Sequence, residues 1–158
     1  MNSPSALTNL QKTLSTSPAT AHLGTIASCL GYRSHPRPGD PGPDSATWQE
    51  DEAFFLREAL KCDARWLGKL MEDHTGKDWR DVIGEVYARS EGVRVLVVAS
   101  ERSGCFPAAG PLRLVGLVNG EDGGKEKARG VSVEWGGHWC YWEEAGRFDR
   151  LVLEFLGE

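Results

Sequence analysis

The sequence predicts an α/β fold with a parallel sheet, and three patterns predict it. Val93-Arg94-Val95-Leu96-Val97-Val98-Ala99 is a β-branched run, apolar on nearly both faces. Such a run reads as a strand buried on both sides, as in a sheet sandwiched by helices. Val131-Ser132-Val133-Glu134-Trp135 alternates with period two and reads as a second strand. Phe148, Leu151, Val152 and Phe155 then fall at i, i+3, i+4 and i+7, the apolar stripe of a closing helix. Between the strands, Leu112 to Val118 reads as a short crossover helix and Asn119 to Gly130 as a charged, Gly-rich loop. Strand, turn, helix, strand, turn, helix is a βαβα unit, for which a right-handed crossover is strongly favoured.

Everything before this unit reads as helix. Leu7, Leu10 and Leu14 mark a first helix, and Ala19 to Leu30 a second that Gly31 stops. The segment 35–43, His-Pro-Arg-Pro-Gly-Asp-Pro-Gly-Pro, is an exposed, semi-rigid linker, because its prolines forbid helix and disfavour a central strand. Thr47 and Glu50 have capping-box spacing, with Asp44 and Ser45 as competing caps. Trp48, Phe55, Ala59 and Cys62 trace one face of the helix that follows. A shorter helix carries Trp66, Leu67, Leu70 and Met71 and ends at Thr75-Gly76. A third starts near Asp78, with Trp79, Val82, Ile83 and Val86 in helical register, Asp78 placed to cap and Trp79 placed in the core.

Composition narrows the function classes. The 158 residues suffice for a modest domain with a core, and the net charge of −5 argues against nucleic acid and anionic membrane surfaces. No apolar run is long enough to span a bilayer. Cys29, Cys62, Cys105 and Cys140 lack C-x-x-C spacing, which argues against a zinc knot and a redox pair and for reduced thiols in a cytoplasmic protein. Residues 1–39 hold no Asp or Glu, but they lack the basic amphipathic face of a transit peptide. No metal or cofactor is expected. His74 beside Asp73 and Asp78 reads as a polar helix terminus rather than a metal pair.

Trp135-Gly136-Gly137-His138-Trp139 places a histidine on a Gly-rich turn directly after a strand. Functional residues of open parallel sheets cluster at the carboxyl ends of strands, here Ser100 to Pro107 and Gly136 to Cys140. VLVVASERSGCFP followed by VSVEWGGHWCYWEEAGRFDRLVLEFL resembles the last two core strands of an α/β-hydrolase-fold protein. His138, Glu143, Phe148 and Phe155-Leu156 fall in register with that family's Gly-His turn, acidic residue, aromatic and terminal helix. LKCDARWLGKLMEDHTGKDWRDVI is similar to the helices leading out of the cap in a subgroup of these hydrolases. The resemblance implies a partial α/β-hydrolase fold, with residues 1–90 derived from a helical cap and 91–158 forming the C-terminal piece of the core.

It also implies that His138 corresponds to the base of a Ser-His-acid triad. At the family's usual acid position the chain has Ser103 or its neighbour, so Glu101 is the substitute acid, unless the acid follows an earlier strand. Phe106 and Trp139 are expected to line the substrate pocket. No serine sits in a G-x-S-x-G nucleophile elbow. The expected function is therefore that of a truncated serine hydrolase acting on a small ester or similar acyl substrate once complemented. Its expected partner is an N-terminal hydrolase half, or a second copy meeting it at the open sheet edge. The alternative is a degenerate, non-catalytic remnant serving as a binding or interaction module.

Overall fold

The computed structural model describes residues 4–120 and 127–157. The chain divides into two compact units, one of residues 1–27 and 39–78 and one of residues 28–38 and 79–158. The chain passes from one unit to the other after residues 27, 38 and 78, and the segment Ser28–Pro38 belongs with the strands.

The first unit is helical: α1 (Pro4–Thr16), α2 (Pro18–Cys29, whose last two residues enter the second unit), α4 (Ala46–Ala59) and α5 (Ala64–Gly76). The short α3 (Gly31–Ser34) belongs to the second unit. Leu14, Ala21, His22 and Ile26 are buried, and α1 packs against α5. Of the competing caps on α4, Ser45 is the one used: its Oγ accepts the Trp48 amide at 3.3 Å. On α5, Trp66 and Leu70 of the expected apolar face are 70% and 64% exposed. Periodicity identifies a helix with an apolar stripe, but what covers the stripe depends on distant chain.

The second unit holds α6 (Arg80–Arg89), β1 (Val95–Ser100), α7 (Ala109–Asn119), β2 (Ala128–Val133), α8 (Cys140–Glu143) and α9 (Ala145–Gly157). The strands are parallel, in register from Val95 opposite Ala128 to Ser100 opposite Val133. The crossover helix α7 packs on both strands and on α6. The fold class is therefore mixed α/β with a parallel pair, as the sequence predicts.

Four details differ from the sequence reading. The first strand begins at Val95, because Val93 is exposed and the Arg94 guanidinium lies over the Phe155 ring at 4.3 Å. Its two faces are unequally covered: Val97 and Ala99 are buried, Leu96 and Val98 half-buried. The second strand starts three residues earlier than its alternating pattern and stops before Glu134. Ala128 and Gly130 on its early part are small, and Leu112 and Val115 of α7 lie directly over Gly130. Lastly, Trp79 is 40% exposed rather than in the core, and Asp78 does not cap α6, whose N-cap is Trp79 without a side-chain hydrogen bond.

Asn119 closes the crossover. Its Oδ1 accepts the amides of Lys127 (3.0 Å) and Ala128 (2.7 Å), and its Nδ2 donates to the Ala128 carbonyl (2.9 Å). The end of α7 is thereby stapled to the first residue of β2, where the Val95 amide donates to Lys127 and opens the ladder. Asn119→Ala removes all three bonds and leaves half-buried amides without this partner, at a cost of about 2–3 kcal/mol. The expected result is a lower urea midpoint at unchanged m-value, with Asn119→Asp intermediate because it keeps both acceptor bonds.

Candidate functional site

Three segments meet at the carboxyl ends of the strands: Ser28–His35, the β1 loop Ser100–Phe106 and the β2 loop Gly136–Glu143. Ser100, the last residue of β1, is buried; its Oγ donates to the Gly136 carbonyl at 2.6 Å and accepts the Arg102 amide at 3.0 Å. That hydroxyl ties the two strand-end loops together. Arg102 is also buried. Its guanidinium donates twice to the His35 carbonyl, while its own carbonyl accepts the Ser34 hydroxyl at 2.7 Å and faces His35 Nδ1 at 3.0 Å.

The β2 loop lies backbone against backbone on the start of α3. A Cβ on Gly137 would stand 2.3 Å from the Cys29 carbonyl oxygen and from the Gly31 nitrogen, so no other residue fits. Gly136, at φ +60°, makes the left-handed bend before it. The carboxylate of Glu143 fills the junction. Gly31 donates to both of its oxygens (2.9 and 3.0 Å), Gly137 to Oε1 (2.5 Å) and Tyr32 to Oε2 (3.4 Å). Burial pushes the Glu143 carboxyl above its ordinary range, and the amides of Gly31, Gly137 and Tyr32 pull it partly back.

His138 follows on this loop. Its ring meets the Phe106 ring of the β1 loop at a centroid distance of 5.6 Å and a tilt of 55°. One side stays open to solvent, and the loss of water on the packed side lowers the imidazole's pKa below the usual histidine value. The ring is therefore neutral, and able to take a proton, to lower pH than a free histidine. Among the described residues no hydrogen bond or ion pair reaches it. Glu101 is exposed at the end of β1, where its carboxylate accepts the Ser132 hydroxyl at 3.2 Å. Trp139 is half-buried, and its amide donates to the Cys29 carbonyl at 3.1 Å.

Of the four residues singled out from sequence, His138 and Phe106 are brought together, Trp139 adjoins them in the chain, and Glu101 is held on the strand ends by Ser132. The sequence reading missed Glu143 as the junction, Ser100 as the tie between loops, and the approach of Cys29 to Cys105, whose sulfurs lie 3.3 Å apart. Only the Gly136-Gly137 pair signalled a close backbone contact. Among the described residues no cluster of His, Cys, Asp or Glu could hold a metal ion. No described helix is long and apolar enough to cross a membrane. Comparison with family models, curated proteins and solved structures yields no match.

Two predictions follow from the junction. Gly137→Ala costs about 3 kcal/mol or more, because backbone rather than a flexible side chain opposes the new methyl group; Gly146→Ala, with open space around it, is the urea-denaturation control. Glu143→Gln presents an NH2 group to an amide donor and costs about 1–3 kcal/mol. Glu143 has a raised folded pKa, so its contribution is fully present below the ordinary glutamate value and is lost as pH rises through the raised one. Urea midpoints across mildly acidic pH therefore fall more steeply with rising pH in the wild type than in Glu143→Gln.

Proposed function

We propose that this chain is an α/β-hydrolase-like protein that carries the base of an acyl-transfer site and takes its serine nucleophile from another segment or chain. The observation that carries this reading is the position of His138: on the loop after the second of two parallel strands, against Phe106 from the loop after the first. A neutral imidazole there would take the serine proton and pass it to the leaving group. Phe106 would line the acyl pocket beside it, with Trp139 at the mouth. The residues given contain no G-x-S-x-G elbow, and the Glu101 carboxylate is engaged by Ser132. The triad's acid then arrives with the nucleophile, after an earlier strand.

Surface chemistry supports a partner. A two-stranded sheet has unpaired outer edges and is marginal by itself. In the same unit Val82, Val86, Tyr87, Leu117, Leu153 and Leu156 are exposed. A serine-bearing hydrolase half, or a second copy of the chain, would cover such surface. A second reading, a hydrolase-derived binding module without catalysis, is favoured by the absence of an acid on His138 among the described residues.

Tagged wild-type and His138→Ala chains, recovered from their native cells with bound partners, distinguish the two. The expected result is the same partner recovered with both chains, and a fluorophosphonate-reactive serine and hydrolysis of a short-chain p-nitrophenyl ester in the wild-type sample alone. Its rate should hold to a pH below the ordinary histidine range, because desolvation depresses His138. Equal hydrolysis in both samples, or no reactive serine in either, would reject the enzyme reading. Hydrolysis that requires His138 in the purified chain alone would reject the external nucleophile.

A further inference from the structure

We propose that Cys29 and Cys105 form a redox dithiol, which a low-molecular-weight disulfide oxidises to an intramolecular bridge beside the His138 loop. The two residues lie 76 positions apart in the chain, yet their sulfurs are 3.3 Å apart, with one thiol positioned to donate to the other. The backbone holds them there. The Gly104 amide donates to the Ser28 carbonyl at 3.0 Å, so each cysteine is the chain neighbour of one partner in that bond. Gly104 is also where the chains touch, since a Cβ there would lie 2.8 Å from the Ser28 carbonyl oxygen. A disulfide requires sulfurs about 2.05 Å apart. Closing the remaining gap, roughly an ångström, requires the two cysteine side chains to turn toward each other.

The surroundings divide the labour. Cys105 is partly exposed and can be reached by a small disulfide; Cys29 is 3% exposed and cannot. The hydrogen bond from Cys29 lowers the Cys105 pKa, favouring its thiolate, the form that attacks. Cys29 is held as a thiol, first by its bond to Cys105, then by burial and by the charges of Cys105 and Glu143. In the first step the Cys105 thiolate attacks one sulfur of R–S–S–R, forming Cys105–S–S–R and releasing R–S⁻. The Cys105 thiolate is then gone, and with it the hydrogen bond that is the main cause keeping Cys29 protonated. R–S⁻ takes the Cys29 proton and leaves as R–SH. The Cys29 thiolate attacks the Cys105 sulfur, closes the bridge and expels the second R–S⁻, which is protonated by water. Two protein thiols and one disulfide become one protein disulfide and two small thiols.

The test uses the full chain carrying Cys62→Ser, which removes an exposed thiol beyond the end of α4. After native incubation with oxidised glutathione, intact mass should fall by two hydrogens. Peptide mapping should find Cys29 joined to Cys105 and Cys140 free, and dithiothreitol should reverse the change. Adding Cys29→Ser should arrest the reaction at a glutathione adduct on Cys105. Adding Cys105→Ser should abolish both adduct and bridge. Circular dichroism checks that each variant is folded, and mapping of the parent protein decides the matter if one is not. Both thiols still open to alkylation after oxidant, a bridge through Cys140, or an adduct on Cys105 that persists in the parent protein would overturn the proposal.

Discussion

The arrangement at the strand ends depends on a single carboxylate. Glu143 accepts backbone hydrogen from Gly31 and Tyr32 on one side and from Gly137 on the other. Without it, two glycine-containing segments would present amide donors to each other in a half-buried space, where an unpaired donor is costly. With it, they lie in contact, and the loop bearing His138 leaves in a defined direction. The expense is carried by the carboxyl itself, held above its ordinary pKa by the burial that makes the contact possible. Its geometry also explains why the junction needs glycine on both faces: with the carboxylate at the side, no space remains between the two backbones.

Around this point the hydrogen-bond traffic is mostly between side chains and backbone. Ser100 joins the two loops, Arg102 holds His35, and Ser34 returns a bond to Arg102. A small parallel sheet offers few ladder bonds, so its strand ends are ordered by such local ties. His138 stands at the edge of this ordered region rather than inside it. Its ring rests on Phe106 and is otherwise open to solvent.

Much of the α/β unit was legible in the sequence, because its signals are local. The β-branched run around Val97 and the apolar stretch from Leu112 to Val118 announce themselves by composition and place, the stripe ending at Phe155 by periodicity. Parallel pairing follows from the crossover between them. The start of β2 was not legible: Ala128 and Gly130 carry no strand signature, and their place is decided by α7 lying over them and by Asn119. The exposure of Trp66, Leu70 and Trp79 was not legible either, since an apolar stripe does not state what covers it. At the candidate site, His138 and Phe106 could be read from a Gly-rich turn and a strand-end loop. Glu143 with Gly31, and Cys29 with Cys105, could not, because 112 and 76 residues separate the partners and no spacing rule reaches that far.

Asn119 carries a consequence for how this chain tolerates change. Its amide group imitates a short piece of neighbouring strand, so α7 and β2 are anchored to each other before the chain between them is considered. The entropy of closing that connection grows only with the logarithm of its length. Sheet register is thus insulated from whatever lies between Gly120 and Lys127. Residues could be added there, or another sequence grafted in, while Val95 still finds Ala128.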